Sequence, residues 1–414
     1  MRYLCVILFS LGLLSLWGQQ TKVFSSDIRT VQVVKNETFD AFPVLELGTD
    51  DFVDVSFDLL SHDYRRYTYV ITHHNADWSA SNVQDIQFLE GFNDNPVEDY
   101  EYSRATTVDY THYKLRLPNE YVHFKISGNY VVTFYEEGDK NKPVLSTCFR
   151  VFEKKSSISI DVSSDTDIDR NTVHQQVSFR VDHSGYQIRN PRDEVQVQVL
   201  QNNRTDNMVT NITPSFIGGN ELRYEHKNEL IFPAGNEYRR MEFVSTRYLS
   251  QGVESISYLN PHYNVFLYPS EKRNDNYIFD QDQNGRFLIR NSEAHDSDTE
   301  ADYFQVHFAL PWRERVLSQG KIYLEGSFTH NQFIPQYQLN YNIELEQYET
   351  VQLLKQGAYN YQYIYLPDGD CKGNTALLEG NYYQTENEYR VLVYHRPFGE
   401  RYDKLIGYAE VLFK

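Results

Sequence analysis

Cysteine is scarce in this 414-residue chain, which holds only Cys5, Cys148 and Cys371. Cys5 lies in an apolar leader, and the two that remain are too few and too far apart to be the disulfide framework of a small secreted domain. The fold must therefore rest on its cores. Methionine and tryptophan occur three times each. Long apolar runs are also lacking. Leu4 to Leu16 is too short to span a bilayer, and no stretch of spanning length follows it. Positive charge is the minority: 39 Lys and Arg stand against 58 Asp and Glu, for a net charge of −19. That balance argues against nucleic acid and anionic membrane surfaces as partners, because both require clustered Lys and Arg.

The start of the chain reads as a cleaved export signal over residues 1–18. Arg2 supplies a short positive region, Leu4 to Leu16 the apolar segment, and Gln19 and Gln20 begin polar sequence. Cys5 sits too early to be a lipid-attachment site. The mature protein is expected to be soluble and outside the cytoplasm; losing Arg2 takes its charge from −19 to −20. Catalytic signatures are missing as well. There is no G-x-S-x-G elbow, no H-E-x-x-H and no phosphate-binding loop. Neither Cys148 nor Cys371 has a histidine close by in sequence. An enzyme is not expected, and no cofactor.

What is abundant is aromatic: 34 Tyr and 25 Phe, residues that favour pleated, half-buried surfaces. Period-two alternation recurs almost everywhere, and sustained helical periodicity does not. Val53, Val55 and Phe57 alternate with polar residues. Tyr130, Val132 and Phe134 share a strand face, the polar stretch Glu136 to Pro143 turns the chain, and Leu145, Thr147, Phe149 and Val151 return it. One short helix is expected around Asn82 to Leu89, capped by Ser79 or Ser81. Further strands carry Ile158, Ile160 and Val162, then Val177, Phe179 and Val181, then Val195, Val197 and Val199, with Gln196 and Gln198 facing water. The fold class is all-β, a tandem of immunoglobulin-like or early-set β-sandwiches. The expected domains are 19–153, 154–299 and 300–414. The first boundary is set at Glu153 to Ser157, and Asn291 to Asp302 reads as a long loop or hinge before the third domain.

Several constellations invite a ligand and fall short of one. Asp280 to Gly285 (DQDQNG) opens like a calcium loop, but the twelfth position is Asn291 where a bidentate Glu is needed, so an Asn-Gly hairpin turn is the reading adopted. His73 and His74 are adjacent and would point to opposite faces of a strand, a poor chelating pair. Lys321 to Phe328 with Tyr348 to Gly369 resembles the immunoglobulin-like glycogen-binding modules. The positions that would stack on sugar rings, however, carry Cys371 and Thr329, His330 and Asn331, with Phe333 the nearest aromatic. Tyr359, Tyr361, Tyr363 and Tyr365 should share one strand face as core or interdomain packing. Cys148 and Cys371, assigned to different domains, are not expected to pair; Cys148 is expected half-exposed.

Two longer stretches are more specific. His74 to Phe152 contains NADWSASNVQDIQFLEGFNDNPVEDYEYS, TTVDYTHYKLRLPNE and SGNYVVTFY, and Glu379 to Tyr408 reads EGNYYQTENEYRVLVYHRPFGERYDKLIGY. With NGRFLIRN at Asn284 to Asn291, they resemble the plug proteins of the type IX secretion system of Bacteroidetes, along essentially the whole mature chain. The resemblance implies a periplasmic protein that closes the periplasmic mouth of a giant outer-membrane β-barrel translocon, with that barrel and its accessory proteins as partners. The richest candidate docking region is Asn75 to Tyr113, where Trp78, Phe92, Tyr100, Tyr102 and Tyr110 are interleaved with Asp and Glu. Exposed aromatics there would give contact area at low entropic cost; packing between domains is the competing reading. The alternatives in other classes are a carbohydrate-binding β-sandwich protein of the surface or periplasm, and an unrecognised hydrolase.

Overall fold

A computed structural model describes residues 21–273 and 275–414; the expected leader, residues 1–18, lies outside them. The alternation of branched and aromatic residues produces β-strands throughout, and they assemble into three sandwiches.

The first sandwich opposes two sheets. One runs Lys22–Val23, Pro143–Phe152, Gly128–Glu136, Tyr67–His74 and Asn95–Pro96 in spatial order, and Val44–Glu46 adds to Pro143–Phe152 in parallel. The other runs Ile28–Lys35, Val53–Leu59, Thr111–Leu117 and Asp99–Tyr102. Val53, Val55 and Phe57 meet Tyr130, Val132 and Phe134 in the core between them. The expected hairpin forms, with Tyr130 opposite Phe149 and Phe134 opposite Leu145. The short helix is Asp85–Phe88, and its cap is Gln84, whose backbone N–H donates to Gln87 Oε1. Ser79 and Ser81 serve the preceding turn instead, bonded to Asp77 and to the His73 carbonyl.

The second sandwich opposes Ser157–Ser163, His174–Asp182, Glu221–Tyr224 and Phe216–Gly218 to Val209–Thr210, Val195–Gln201, Asn387–His395 and Lys404–Phe413. Its core joins Val177, Phe179 and Val197 to Tyr389, Val391, Val393 and Ile406. The third unit is thus inserted between Ile231–Pro233 and Asn387–His395. It packs a sheet centred on Gly357–Pro367, flanked by Arg239–Glu242, Phe287–Ile289 and Gly320–Glu325, against Val253–Leu259, His262–Leu267, Tyr303–Pro311, Gln347–Lys355 and Asn340–Asn342. Tyr359, Tyr361 and Tyr363 are buried in its core. Sheets consequently cross the expected boundary at 299/300. Val195–Gln201 can complete its hydrogen-bonding edge only with Asn387–His395, nearly two hundred residues later, a non-local pairing that linear periodicity does not encode.

The outer face of that sheet is not wet. Gln198, expected to face water, is buried and donates through Nε2 to the Ala76 carbonyl of the first sandwich at 2.6 Å. Phe42, Val44 and Ala76 meet Leu200, Leu392, Tyr394 and Leu405 in a separate cluster between the first two sandwiches.

Candidate docking surface and interdomain network

Residues 75–113 leave the strand Tyr67–His74 and travel over the surface of the first sandwich, touching a different neighbour at each end. At the start, Trp78 adopts φ +63°, tied by its N–H to the Asn75 carbonyl at 2.9 Å and by its carbonyl to His74 Nδ1 at 2.8 Å. This turns the indole inward, where it is 5% exposed and lies 5.1 Å from the Arg150 guanidinium. The Arg150 guanidinium also lies 5.1 Å from the Phe42 ring, and Arg390 of the second sandwich lies 4.9 Å from the same ring. Trp78 thus belongs to a cation–aromatic cluster with Arg150, Phe42 and Arg390 between domains. A side chain so enclosed offers a partner no contact area.

Both adjacent histidines are engaged within the fold. His73 Nε2 lies 3.1 Å from the Ser127 carbonyl, which can only accept, so this nitrogen carries the proton; Nδ1 lies 2.8 Å from Ser81 Oγ. Burial pushes the His73 ring down to about 4, only partly offset by its bond to Ser127. Among the described residues no group of three or more His, Cys, Asp or Glu is placed to hold a metal ion.

In the middle of the segment the aromatics reach water. Phe92 is among the most exposed apolar side chains. Tyr100 and Tyr102 stand on the edge strand Asp99–Tyr102; Tyr102 is exposed beside His62, while Tyr100 is half-buried against the core with its ring tilted over Tyr64 at 4.6 Å. Tyr100 and Tyr102 thus form one patch with Tyr64, while Phe92 belongs to a second patch with Ile86, near the helix.

At its end the segment meets the third unit. Tyr110 is wholly buried; its hydroxyl donates to the Ala301 carbonyl at 2.8 Å, and Lys355 Nζ lies 4.1 Å above its ring. Lys355 also reaches Asp58 Oδ2 at 2.6 Å, and Asp58 accepts from the Tyr303 hydroxyl at 2.6 Å and faces His112 Nδ1 at 2.6 Å. Burial alone would push the Asp58 carboxyl up, but the Lys355 ammonium and His112 hold it below its ordinary value. The acidic stretch Asn291 to Asp302, read as a loop or hinge, is the clasp that builds this contact. Asp296 caps the turn Ser297–Glu300, and Asp302 accepts from Thr107 N, Thr107 Oγ1 and Val108 N of the first sandwich.

The third interface is also polar. Arg286 is bidentate to Glu388 at 2.9 and 2.6 Å, and Arg390 shares the same carboxylate at 2.5 Å. In the DQDQNG segment, Asp282 accepts from the backbone N–H groups of Asn284 and Tyr238, while Asp280 pairs with Arg240. Asn284 and Gly285 both take positive φ, as an Asn-Gly turn requires. The expected hairpin does not form, however: among the described residues no strand leads directly into the turn, and Phe287–Ile289 pairs instead with Gly357–Pro367.

Cys148 is buried on Pro143–Phe152, against the expectation of half-exposure, because its side chain points to the sandwich–sandwich junction; Cys371 is exposed, and the two are not joined. Thr329 is buried in the short helical turn Ser327–Thr329, away from any sugar-binding role. Sequence reasoning passed over Phe398 and Ile86, although a Pro-Phe-Gly at a hairpin tip was visible as a signal.

Residues 28–153 match the family described as the type 9 secretion system plug protein 1st domain. A hypothetical protein from Parabacteroides merdae has a crystal structure that superposes with a TM-score of 0.94 at 44% identity, covering 96% of this chain and 100% of its own. An alkylpurine DNA glycosylase from Pseudomonas fluorescens aligns at 13% identity over 32% of this chain and 31% of its own, with a TM-score of 0.16 that supports no argument. No curated protein matches. The fold and the match together define an all-β secretion-system component built of β-sandwiches. Residues 28–153 are the first domain of a type IX secretion system plug protein.

Proposed function

We propose that the protein is a periplasmic, non-enzymatic plug that occludes the periplasmic mouth of the giant outer-membrane β-barrel translocon through which type IX cargo leaves the cell. The observation that supports this reading is the mutual locking of three sandwiches. Each pair shares a polar contact, fully buried for Gln198 with Ala76 and Asp58 with Lys355, and partly buried for Arg286 with Glu388. Covering a wide aqueous opening demands a body that does not flex at its domain joints, and hydrogen-bonded ion pairs fix relative orientation more tightly than apolar contact alone. A plug must also come away, which favours a modest docking surface of exposed aromatics such as Phe92 and Tyr102 over a core-like one.

Occlusion is a steric act, so loss of the protein should open a conduit. A strain lacking it should admit large antibiotics or leak periplasmic protein, and removal of barrel and protein together should restore the seal. A deletion strain that stays impermeable, from which no giant barrel co-purifies with the reintroduced protein, would falsify the proposal.

A further inference from the structure

Three of the most exposed apolar side chains among the described residues gather where the first and second sandwiches meet. Phe398 is 101% exposed, Phe92 85% and Ile86 74%. Phe398 stands at the tip of the loop joining Asn387–His395 to Lys404–Phe413. Glu400 N donates to the Pro397 carbonyl at 3.0 Å and Gly399 takes φ +90°, so Phe398 and Gly399 are the central pair of a tight turn whose second position needs glycine. The base of the loop is braced on both sides. Arg396 donates to the Glu194 carbonyl through its N–H and to Asp403 through Nε, and Asp403 accepts from Ala76 N of the first sandwich at 2.9 Å.

The same loop is tied to the segment that carries Ile86 and Phe92. Asn82 N donates to the Arg401 carbonyl, and the Tyr402 ring meets His73, which meets Phe88. Phe88 is the buried residue of the helix Asp85–Phe88, on which Ile86 faces outward. Asn93 Nδ2 donates to Asp85 at 2.8 Å, fixing Phe92 beside that helix. All three apolar side chains therefore ride on one hydrogen-bonded frame.

Charge here departs from the rest of the molecule. Residues 82–92, 119–127, 153–156, 183–194 and 395–406 hold eight Lys or Arg and eight Asp or Glu, against −19 for the chain. An electroneutral end with fixed apolar points does not call for a basic partner. A side chain held in one turn conformation suits a pocket of defined shape, and an end without net positive charge has no electrostatic pull toward anionic headgroups.

We propose that this end is the docking anchor: Phe398 enters an apolar pocket on the protein rim of the translocon, with Ile86 and Phe92 packing around it. The inference rests on the plug reading above. Its test passes detergent-solubilised outer membranes over the immobilised full chain and over Phe398→Asp and the pair Ile86→Asp with Phe92→Asp. The native chain should retain the giant barrel in low and high salt, and Phe398→Asp should weaken retention about tenfold or more, as loss of a central aromatic anchor does. Because Phe398 is fully exposed, its variant should melt with the native protein, which separates lost docking from unfolding.

Failure of the native chain to retain the barrel overturns the plug reading and this inference with it. Retention by the native chain that neither variant weakens, or that high salt abolishes, overturns this inference and leaves the plug reading standing. Sedimentation with vesicles of neutral and anionic phospholipid that Phe398→Asp abolishes would assign the anchor to the bilayer and overturn the protein pocket.

Discussion

The Asp58 carboxylate of the first sandwich and the Lys355 ammonium of the third lie 2.6 Å apart, each with its side chain 1% exposed. Nearly three hundred residues separate them in sequence, yet they are the polar centre of the contact that Asn291 to Asp302 clasps together. Two desolvated charges in contact are tolerated only because each has further partners: Tyr303 and His112 on the carboxylate, the Asp298 carbonyl and the Tyr110 ring on the ammonium.

Removing one member should therefore cost far more than removing both. Lys355→Met leaves Asp58 buried without its cation and is expected to destabilise the protein by about 3–5 kcal/mol. Asp58→Leu combined with Lys355→Met should recover much of that loss. Denaturant unfolding of the three variants measures it, and a double variant no better than Lys355→Met alone would refute the account.

Stability should peak at mildly acidic pH. Asp58 and Glu379 have folded values below their unfolded ones, so their contribution is present above the unfolded carboxyl range and is lost as pH falls through the folded values. Glu325 and Glu237, both enclosed, are pushed up to about 7 by burial, and Asp282 to about 6. Their contribution has the opposite sign: it is complete below the unfolded range and disappears as pH rises toward 7. Thermal melts should show a higher Tm near pH 5.5 than at pH 8. Glu325→Gln, which carries no charge to bury, should flatten the upper limb; an unchanged limb would dismiss Glu325 as its source.

Calcium should not stabilise the chain through DQDQNG. Asp282 already accepts a backbone N–H on each of its oxygens, and the Arg240 guanidinium stands beside Asp280 where a cation would have to bind. Millimolar calcium should leave the Tm where chelator leaves it; a rise of several degrees would contradict this, since a ligand bound to the native state must raise its stability.

Truncation should discriminate between the sandwiches. A chain ending after residue 299 lacks Asn387–His395 and Lys404–Phe413, and with them Tyr389, Val391, Val393 and Ile406 of the second core. It is expected to be insoluble or partly unfolded. Residues 21–155 keep every strand of the first sandwich and should give a cooperative melt. Cooperative folding of the longer fragment would mean that the last two strands are dispensable.

Trp78 and Tyr110 show why aromatic residues mislead when read without contacts. In sequence both lie among acidic and polar residues, in the same surroundings as Phe92 and Tyr102. A left-handed φ at Trp78 and the arrival of Ala301 over Tyr110 are what take them out of water. Gln198 makes the same point for a polar residue: its alternation with Val197 and Val199 correctly put it on the outer face of a strand, but that face was covered by another sandwich.

Period-two alternation in Val53 to Phe57 and Tyr130 to Phe134, with scarce cysteine and abundant Tyr and Phe, determined by itself that the protein is a set of β-sandwiches held by their cores. These are local properties: side-chain alternation follows from the pleat of a single strand, and turn chemistry from a few consecutive dihedrals. Only the tertiary structure decided that the third sandwich is inserted into the second, that the acidic stretch before Tyr303 is a clasp, and which aromatics remain exposed. Each of those depends on pairing between residues one to three hundred positions apart, whose free energy comes from surfaces that no window of sequence contains.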